Sequence, residues 1–266
     1  MHFELPHDWP ATEAEAIALQ VSLAPMVDRT GPGPQEPRLI AGLDVAYAGD
    51  GRDGTPTTAG SPPLPPSPSP SLPPSPAAPM ASAAPTAPGR VRVAAGIAVL
   101  DARSLEVVET ATAVGFTAFP YVSGLFAFRE LPVLLDALRA LRTVPDLLLC
   151  DGQGVAHPRR FGLACHLGVI TGLPTAGVAK TPFTGSSVLP ADERGAWTPM
   201  LDGDEVVGRT LRTRAGVKPV HVSVGHRIDL DTACRHVLAA APRYRLPETT
   251  RIADRLSRDA LASAIP

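Results

Sequence analysis

The sequence predicts an α/β fold in which a mixed sheet is flanked by helices, and three observations support it. Residues 147–150 (LLLC) are an unbroken apolar run, as expected of a strand buried on both faces, and 174–179 (PTAGVA) are a second. The stretch between them has the character of a helix running to about Thr171, with Pro158 suited to the first helical position and Gly172 to the end. Three earlier segments read as consecutive antiparallel strands. The strand–helix–strand unit puts Asp151 and Lys180 at the carboxyl ends of neighbouring parallel strands, where open α/β sheets place their ligand sites. There a carboxylate, Gly152, Gly154, a helix N-terminus and a lysine converge, a set that suits a metal ion and a phosphate. Asp-Gly after a strand is equally the signature of a plain turn. The reading therefore depends on what other segments send to the same place.

At 266 residues the chain can hold one domain with a full core. A formal net charge of −2 argues against a strongly basic nucleic-acid coat but leaves room for a local basic face. Arginine supplies nearly all the positive charge; Lys180 and Lys218 are the only lysines, which sets Lys180 apart from generic surface charge. Cys150, Cys165 and Cys234 are odd in number and lack zinc spacing, so they fit small apolar side chains in a reducing cytosol. The opening MHFELPHDWP has no basic region followed by an apolar stretch, and no run approaches membrane-spanning length. A cytoplasmic protein without a membrane partner is expected.

Along the chain, residues 11–23 predict an amphipathic helix with Glu13 and Glu15 in its first turns. Residues 38–47 (RLIAGLDVAY) alternate as a strand, with Leu39, Ala41, Leu43, Val45 and Tyr47 on one face and Ile40, Gly42, Asp44 and Ala46 on the other. Asp44 is a charge in an apolar strand, and such a carboxylate must be paired, hydrogen-bonded or metal-bound. Residues 49–90 differ in kind. Twelve of the thirty residues from 61 to 90 are proline, too little apolar surface to order the segment, which reads as a disordered insertion in a surface loop. Strands resume at 91–100 and 105–114 around the turn Asp101-Ala102-Arg103-Ser104. Residues 116–129 are aromatic and glycine-containing and lead to Glu130-Leu131-Pro132. A helix is expected from near Glu130 to about Arg142, because proline is tolerated in a first helical turn but not deep inside. Glu130 by itself fits an acid stabilised at a helix start. Beyond Lys180, a hairpin is expected over 196–201 and 205–212, a short strand over 220–224, and helices from about Leu230 and from Pro247 onward, the last carrying Asp254. Arg209, Arg212, Arg214 and Lys218 form a basic cluster that fits either a solvated face or a surface for a nucleic-acid backbone.

Three antiparallel strands, helix, strand, helix, strand is the ribonuclease H-like arrangement. More specifically, five segments in order, 40–47 (IAGLDVAY), 120–130 (PYVSGLFAFRE), 145–160 (PDLLLCDGQGVAHPRR), 174–180 (PTAGVAK) and 244–254 (YRLPETTRIAD), make the chain similar to the endonuclease V family of deoxyinosine 3′-endonucleases. The match spans almost the whole chain, 1–266, as a single catalytic domain apart from the insertion at about 50–90. The resemblance implies that Asp44 and Asp151 bind metal, that Glu130 is the third acid, and that Lys180 is the family lysine of the site. Asp254 falls where related folds carry a fourth acid. Tyr121, with Pro120 and Val122, matches a wedge that enters DNA beside the lesion; Ser123 stands where the family usually has a second proline, a departure that bears on the wedge's stiffness. Gly124, Phe126, Gly152 and Gly154 fall around the family's base pocket, and His157 and Arg159 at phosphate contacts. His226 sits in a family-like Gly-His pair without an assigned role.

The implied activity is metal-dependent hydrolysis of the second phosphodiester bond 3′ to deoxyinosine in DNA, by a monomer. Oxygen ligands without Cys or His indicate Mg²⁺, with Mn²⁺ as an alternative. An inosine-directed ribonuclease acting on inosine-containing RNA, another ribonuclease H-like nuclease such as a junction resolvase, and a non-catalytic nucleic-acid-binding module are the competing readings. The intact set Asp44, Glu130, Asp151 and Lys180 argues against the last.

Overall fold

The alternating run that contains Asp44 becomes the strand around which the sheet is built. In the computed structural model, which describes residues 1–48 and 90–264, β1 is Leu39–Tyr47. It pairs antiparallel with β2 (Val91–Asp101), which pairs antiparallel with β3 (Val107–Thr117). On its other edge β1 runs parallel to β4 (Leu147–Cys150), and β4 parallel to β5 (Thr175–Ala179). A hairpin of β6 (Trp197–Asp202) and β7 (Glu205–Leu211), then β8 (Val220–His226), extend the sheet to eight strands in the order β3-β2-β1-β4-β5-β8-β7-β6. The helices are α1 (Glu13–Leu23), α2 (Ala127–Ala140), α3 (Leu163–Thr171), α4 (Leu230–Ala239) and α5 (Glu248–Ser263).

The two faces of β1 separate as the alternation requires. Ala41 and Leu43 join one buried cluster with Leu131, Leu134, Leu135 and Leu138 of α2, while Ile40 joins the other with Leu147, Leu149, Phe161 and Cys165. α5 crosses β1 and β2 at unusually short range. A Cβ on Gly42 would lie 2.2 Å from the Thr249 carbonyl carbon, and one on Gly96 2.3 Å from the Ala253 oxygen. Gly96 sits directly opposite Asp44 in the β1–β2 register. The two glycines therefore let α5 descend onto the strand that carries the acid.

Three expectations are corrected. α3 begins at Leu163, not at Pro158, because Arg160 takes a left-handed turn (φ 53°) and the chain enters the helix through Gly162. Its N-terminus is also not free for a phosphate: the Gly162 N–H donates to the Gly154 carbonyl and the Ala164 N–H to the Gln153 carbonyl, each at 3.0 Å. α2 begins at Ala127, ahead of Glu130. The turn Val122–Leu125, closed by the Leu125 N–H on the Val122 carbonyl, leads into it, so Pro132 lies inside the helix and forgoes its own bond. The basic cluster is not one face: Arg214 and Lys218 are exposed, whereas Arg209 and Arg212 are engaged within the protein. Arg212 is buried and donates to the carbonyls of Pro190, Ala191 and Val217, Arg209 stacks 3.7 Å from the Trp197 ring centroid and pairs with Asp231, and Arg214 donates to the Arg243 carbonyl.

The expected insertion, apart from Arg90, lies outside the described residues; next to it, the Ala48 N–H donates to the Arg92 carbonyl at 2.8 Å. Cys150, Cys165 and Cys234 are buried and free. Among the described residues no helix is long and apolar enough to cross a membrane.

Candidate active site

Five charged side chains from five elements face one another. Asp44 comes from β1, Glu130 from the first turn of α2, Asp151 from the residue after β4, Lys180 from the residue after β5, and Asp254 from α5. Lys180 Nζ donates to Asp151 Oδ2 at 2.6 Å. The Ser257 hydroxyl donates to Asp44 Oδ2 at 3.1 Å, and the Tyr47 hydroxyl to Glu130 Oε1 at 3.0 Å. Asp151, Lys180 and Asp254 line a cleft of about 430 Å³ whose α5 wall also carries Arg251, Arg255 and Arg258.

The electrostatics are those of crowded, desolvated carboxylates. Burial, followed by the charges of Asp151 and Asp254, pushes Asp44 up to about 8 against the pull of Lys180. Burial likewise raises Glu130 to about 7, although the Tyr47 hydroxyl favours its ionised form. Burial opposes the charged form of Lys180, but the Asp151, Asp44 and Asp254 carboxylates outweigh it and hold its pKa above the ordinary lysine value. Among the described residues no three acids close into a ready coordination shell, and the Lys180 ammonium neutralises Asp151. The donor set nevertheless suits a hard divalent cation, since it is all oxygen and its mutual repulsion is relieved by positive charge.

The second expected feature is separate. Pro120 and Tyr121 are exposed, Tyr121 at 67%, and the Tyr121 ring packs edge-on against Phe126 at 4.8 Å. Val122 packs with Leu125 and Phe128. Arg129 lies over both the Tyr47 and Tyr121 rings, at 5.2 and 5.9 Å from their centroids, and donates to the Phe119 carbonyl. One guanidinium thus adjoins both the exposed Tyr121 and the tyrosine that holds Glu130.

The pocket and phosphate residues divide. Gly124 (φ 81°) is buried beside Phe183, and Gly152 is half-exposed beside Leu163. Gly154 is buried against β8: its N–H donates to Ser223 Oγ at 2.8 Å, and a Cβ there would meet the Val224 oxygen at 2.0 Å, so this glycine serves close packing. His157 and Arg159, expected at phosphates, both donate to the Gly124 carbonyl, at 2.9 and 3.1 Å. His226 accepts the Asp28 N–H at 3.1 Å and so tethers the segment before β1. The sequence reading missed Ser257 and Gln20. Ser257 lies three residues beyond Asp254 on one helix face, a spacing that could have signalled it; Gln20 left no local signal.

A model of the Endonuclease V family matches residues 81–255. An endonuclease V of Streptomyces avermitilis is 52% identical over 262 residues, 98% of this chain and 97% of that protein. The crystal structure of an endonuclease V from the same organism aligns with a TM-score of 0.79 at 50% identity over the whole of both chains. That from Bacillus subtilis aligns at 0.80 and 30% identity, covering 99% of this chain and 98% of its own. A Ciona intestinalis endonuclease V, solved with a 24mer DNA containing an inosine, shares the fold at a TM-score of 0.69 and 23% identity, over 94% of this chain and 98% of its own. With its ribonuclease H-like sheet and these full-length matches, the chain belongs to the endonuclease V family and is a nuclease.

Proposed function

We propose that this enzyme recognises deoxyinosine in DNA and hydrolyses the second phosphodiester bond 3′ to it, using Mg²⁺ or, in its place, Mn²⁺. The observation that carries the reading is the Lys180–Asp151 pair at the head of a cleft shared with Asp254 and backed by Asp44 and Glu130, on a scaffold half identical to an endonuclease V. Nucleases of this family are of the kind that uses a divalent metal. Asp44 and Asp151, with Glu130 and Asp254 beside them, are the residues to hold it. Once bound, a divalent ion supplies Lewis-acid polarisation of the phosphoryl oxygen and shields the negative charge that develops there.

The chain's own residues do the rest. Lys180, kept charged by its carboxylate neighbours, is suited to donate to a phosphate oxygen. Glu130, oriented by the Tyr47 hydroxyl at 3.0 Å, is suited to orient the attacking water beside the ion. Extruding the altered base costs a few kcal/mol, less for a poorly paired one, and the exposed Tyr121 ring would fill the vacated stack. One chain supplies both acids and wedge, so a single-domain monomer suffices, and three buried free thiols suit a reducing cytoplasm. A Mg²⁺-dependent nicking assay on one duplex with and without a single deoxyinosine tests the reading. A nick at the second bond 3′ to the lesion, absent from the control duplex, is expected; equal cleavage of both, or cleavage only of inosine-containing RNA, overturns it.

A further inference from the structure

The loop that presents Tyr121 is held at both ends by its carbonyls. At one end the Phe119 carbonyl accepts from Arg129. At the other the Gly124 carbonyl accepts from three side chains: Gln20 Nε2 at 3.0 Å, His157 Nε2 at 2.9 Å and Arg159 Nη2 at 3.1 Å. The polar atoms of this cluster are mutually consistent. The Gln20 oxygen accepts from Arg159 Nε at 2.5 Å, which directs its amide nitrogen at the carbonyls of Gly124 and of Phe161, 3.1 Å away. A flipped amide would set oxygen against two carbonyl oxygens. His157 Nδ1 accepts the Arg159 N–H at 3.2 Å, which leaves Nε2 protonated to donate. Gln20 is 1% exposed and reaches the loop from α1, 104 residues away in sequence.

A buried glutamine held in this way is a fixed strut: Arg159 and the Phe161 carbonyl, both outside the loop, anchor its amide, and its nitrogen would lose the Gly124 carbonyl if the loop moved. Ser123, by contrast, is exposed and brings none of proline's backbone restriction to the loop. We propose that Gln20 is a positioning residue for the wedge: through the Gly124 carbonyl it fixes the loop that presents Tyr121 and supplies the stiffness that Ser123 does not. The inference rests on the deoxyinosine reading for its consequence, though not for its geometry. A pre-set wedge lowers the ordering needed when a base leaves a duplex, and does little for a strand that is already unstacked.

The test compares the wild type, Gln20→Met, and Gln20→Met combined with Ser123→Pro. Met conserves volume and removes both amide groups. The readouts are nicking of one deoxyinosine substrate as duplex and as single strand, and amide hydrogen exchange of residues 120–125 in the protein alone. Gln20→Met is expected to lower the duplex-to-single-strand rate ratio about tenfold, to speed exchange in 120–125, and to recover part of the ratio when Ser123→Pro stiffens the loop independently. An equal loss on both substrates, or unchanged exchange in 120–125, overturns the assignment. If Gln20→Met does not fold, Gln20→Glu, which keeps the acceptor for Arg159 and loses the donors, is read against the same outcomes. A wild type indifferent to deoxyinosine ends the functional reading instead, and amide exchange still decides whether Gln20 holds the loop.

Discussion

The acid cleft and the wedge loop hold their residues by opposite means. The cleft gathers carboxylates beside one lysine, and burial, followed by the neighbouring carboxylates, raises the pKa values of Asp44 and Glu130. The wedge loop exposes one aromatic ring and is tied down by neutral and cationic donors on its carbonyls. The cleft carboxylates are therefore sensitive to protons and to cations, whereas the loop is held by hydrogen bonds that neither would change. Metal and pH should act on the first, and base pairing of the substrate on the second.

The largest effect expected is loss of a cleft acid. Asp44→Ala or Asp151→Ala should reduce nicking by at least a hundred- to thousand-fold, about 3–4 kcal/mol, the usual consequence of losing one strong electrostatic stabiliser of a transition state. The metal-free fold should survive, because Asp44→Ala relieves its carboxylate neighbours and, in Asp151→Ala, Lys180 keeps the Asp44 and Asp254 carboxylates nearby. Nicking rate and melting temperature of the same preparation check both halves; a well-folded Asp151→Ala protein with normal activity would remove the site.

Metal and pH sharpen the contrast further. Asp44 and Glu130 have folded-state pKa values raised to about 8 and about 7, so between about pH 4 and about 8 the folded protein binds more protons than the unfolded chain. Stability from these groups is thus present at low pH and is lost as pH rises through that window. In chelator, the melting temperature should fall over this range, and the fall should flatten in Asp44→Asn. Adding Mg²⁺ at a hundred times its pH 8 dissociation constant should restore about 2.7 kcal/mol at pH 8, and the same concentration less at pH 5, where protons compete. A melting curve indifferent to both pH and Mg²⁺ would mean the acids are not coupled through a common site.

The wedge should respond to neither. Tyr121→Ala should weaken nicking of deoxyinosine duplex by roughly 1–3 kcal/mol, the worth of a base–aromatic stack, with the defect shrinking on single-stranded substrate. At 67% exposure the ring has little to contribute to the core, so the melting temperature should hold. Equal losses on both substrates with a lowered melting temperature would make Tyr121 a packing residue beside Phe126.

What was legible in the sequence follows the same division. Asp44 was legible because a charge interrupts an otherwise apolar strand, and Asp151 and Lys180 because short buried strands end at them. Their convergence follows from parallel pairing of β1, β4 and β5. The true start of α3 was not legible, since it depends on a left-handed Arg160 and on carbonyls of Gln153 and Gly154 that cap it. Nor were the duties of His157, Arg159 and Gln20, because their partner is a backbone carbonyl distant in sequence, and any residue supplies a carbonyl. Side-chain chemistry at strand ends leaves a mark in sequence; side chains that hold backbone do not.

The smallest effect expected is from removing what belongs to neither region. Residues 51–88 join β1 to β2, and the ladder on their flanks is complete: Tyr47 pairs with Val93, and the Ala48 N–H reaches the Arg92 carbonyl. An antiparallel pair in that register needs only a short turn to close it. The proline-rich composition holds few large apolar side chains, Leu64, Leu72 and Met80, and doubling a loop's length changes its closure by only about 0.6 kcal/mol. Replacing 51–88 with a short Gly-containing turn should therefore leave nicking within a few-fold of wild type, keep the duplex-to-single-strand ratio, and leave the melting temperature level or slightly raised. Parallel measurement of all three on the deletion variant decides it. A cooperative transition at a much lower temperature would show that the segment packs on the domain, and a changed substrate ratio at constant stability would show that it takes part in binding.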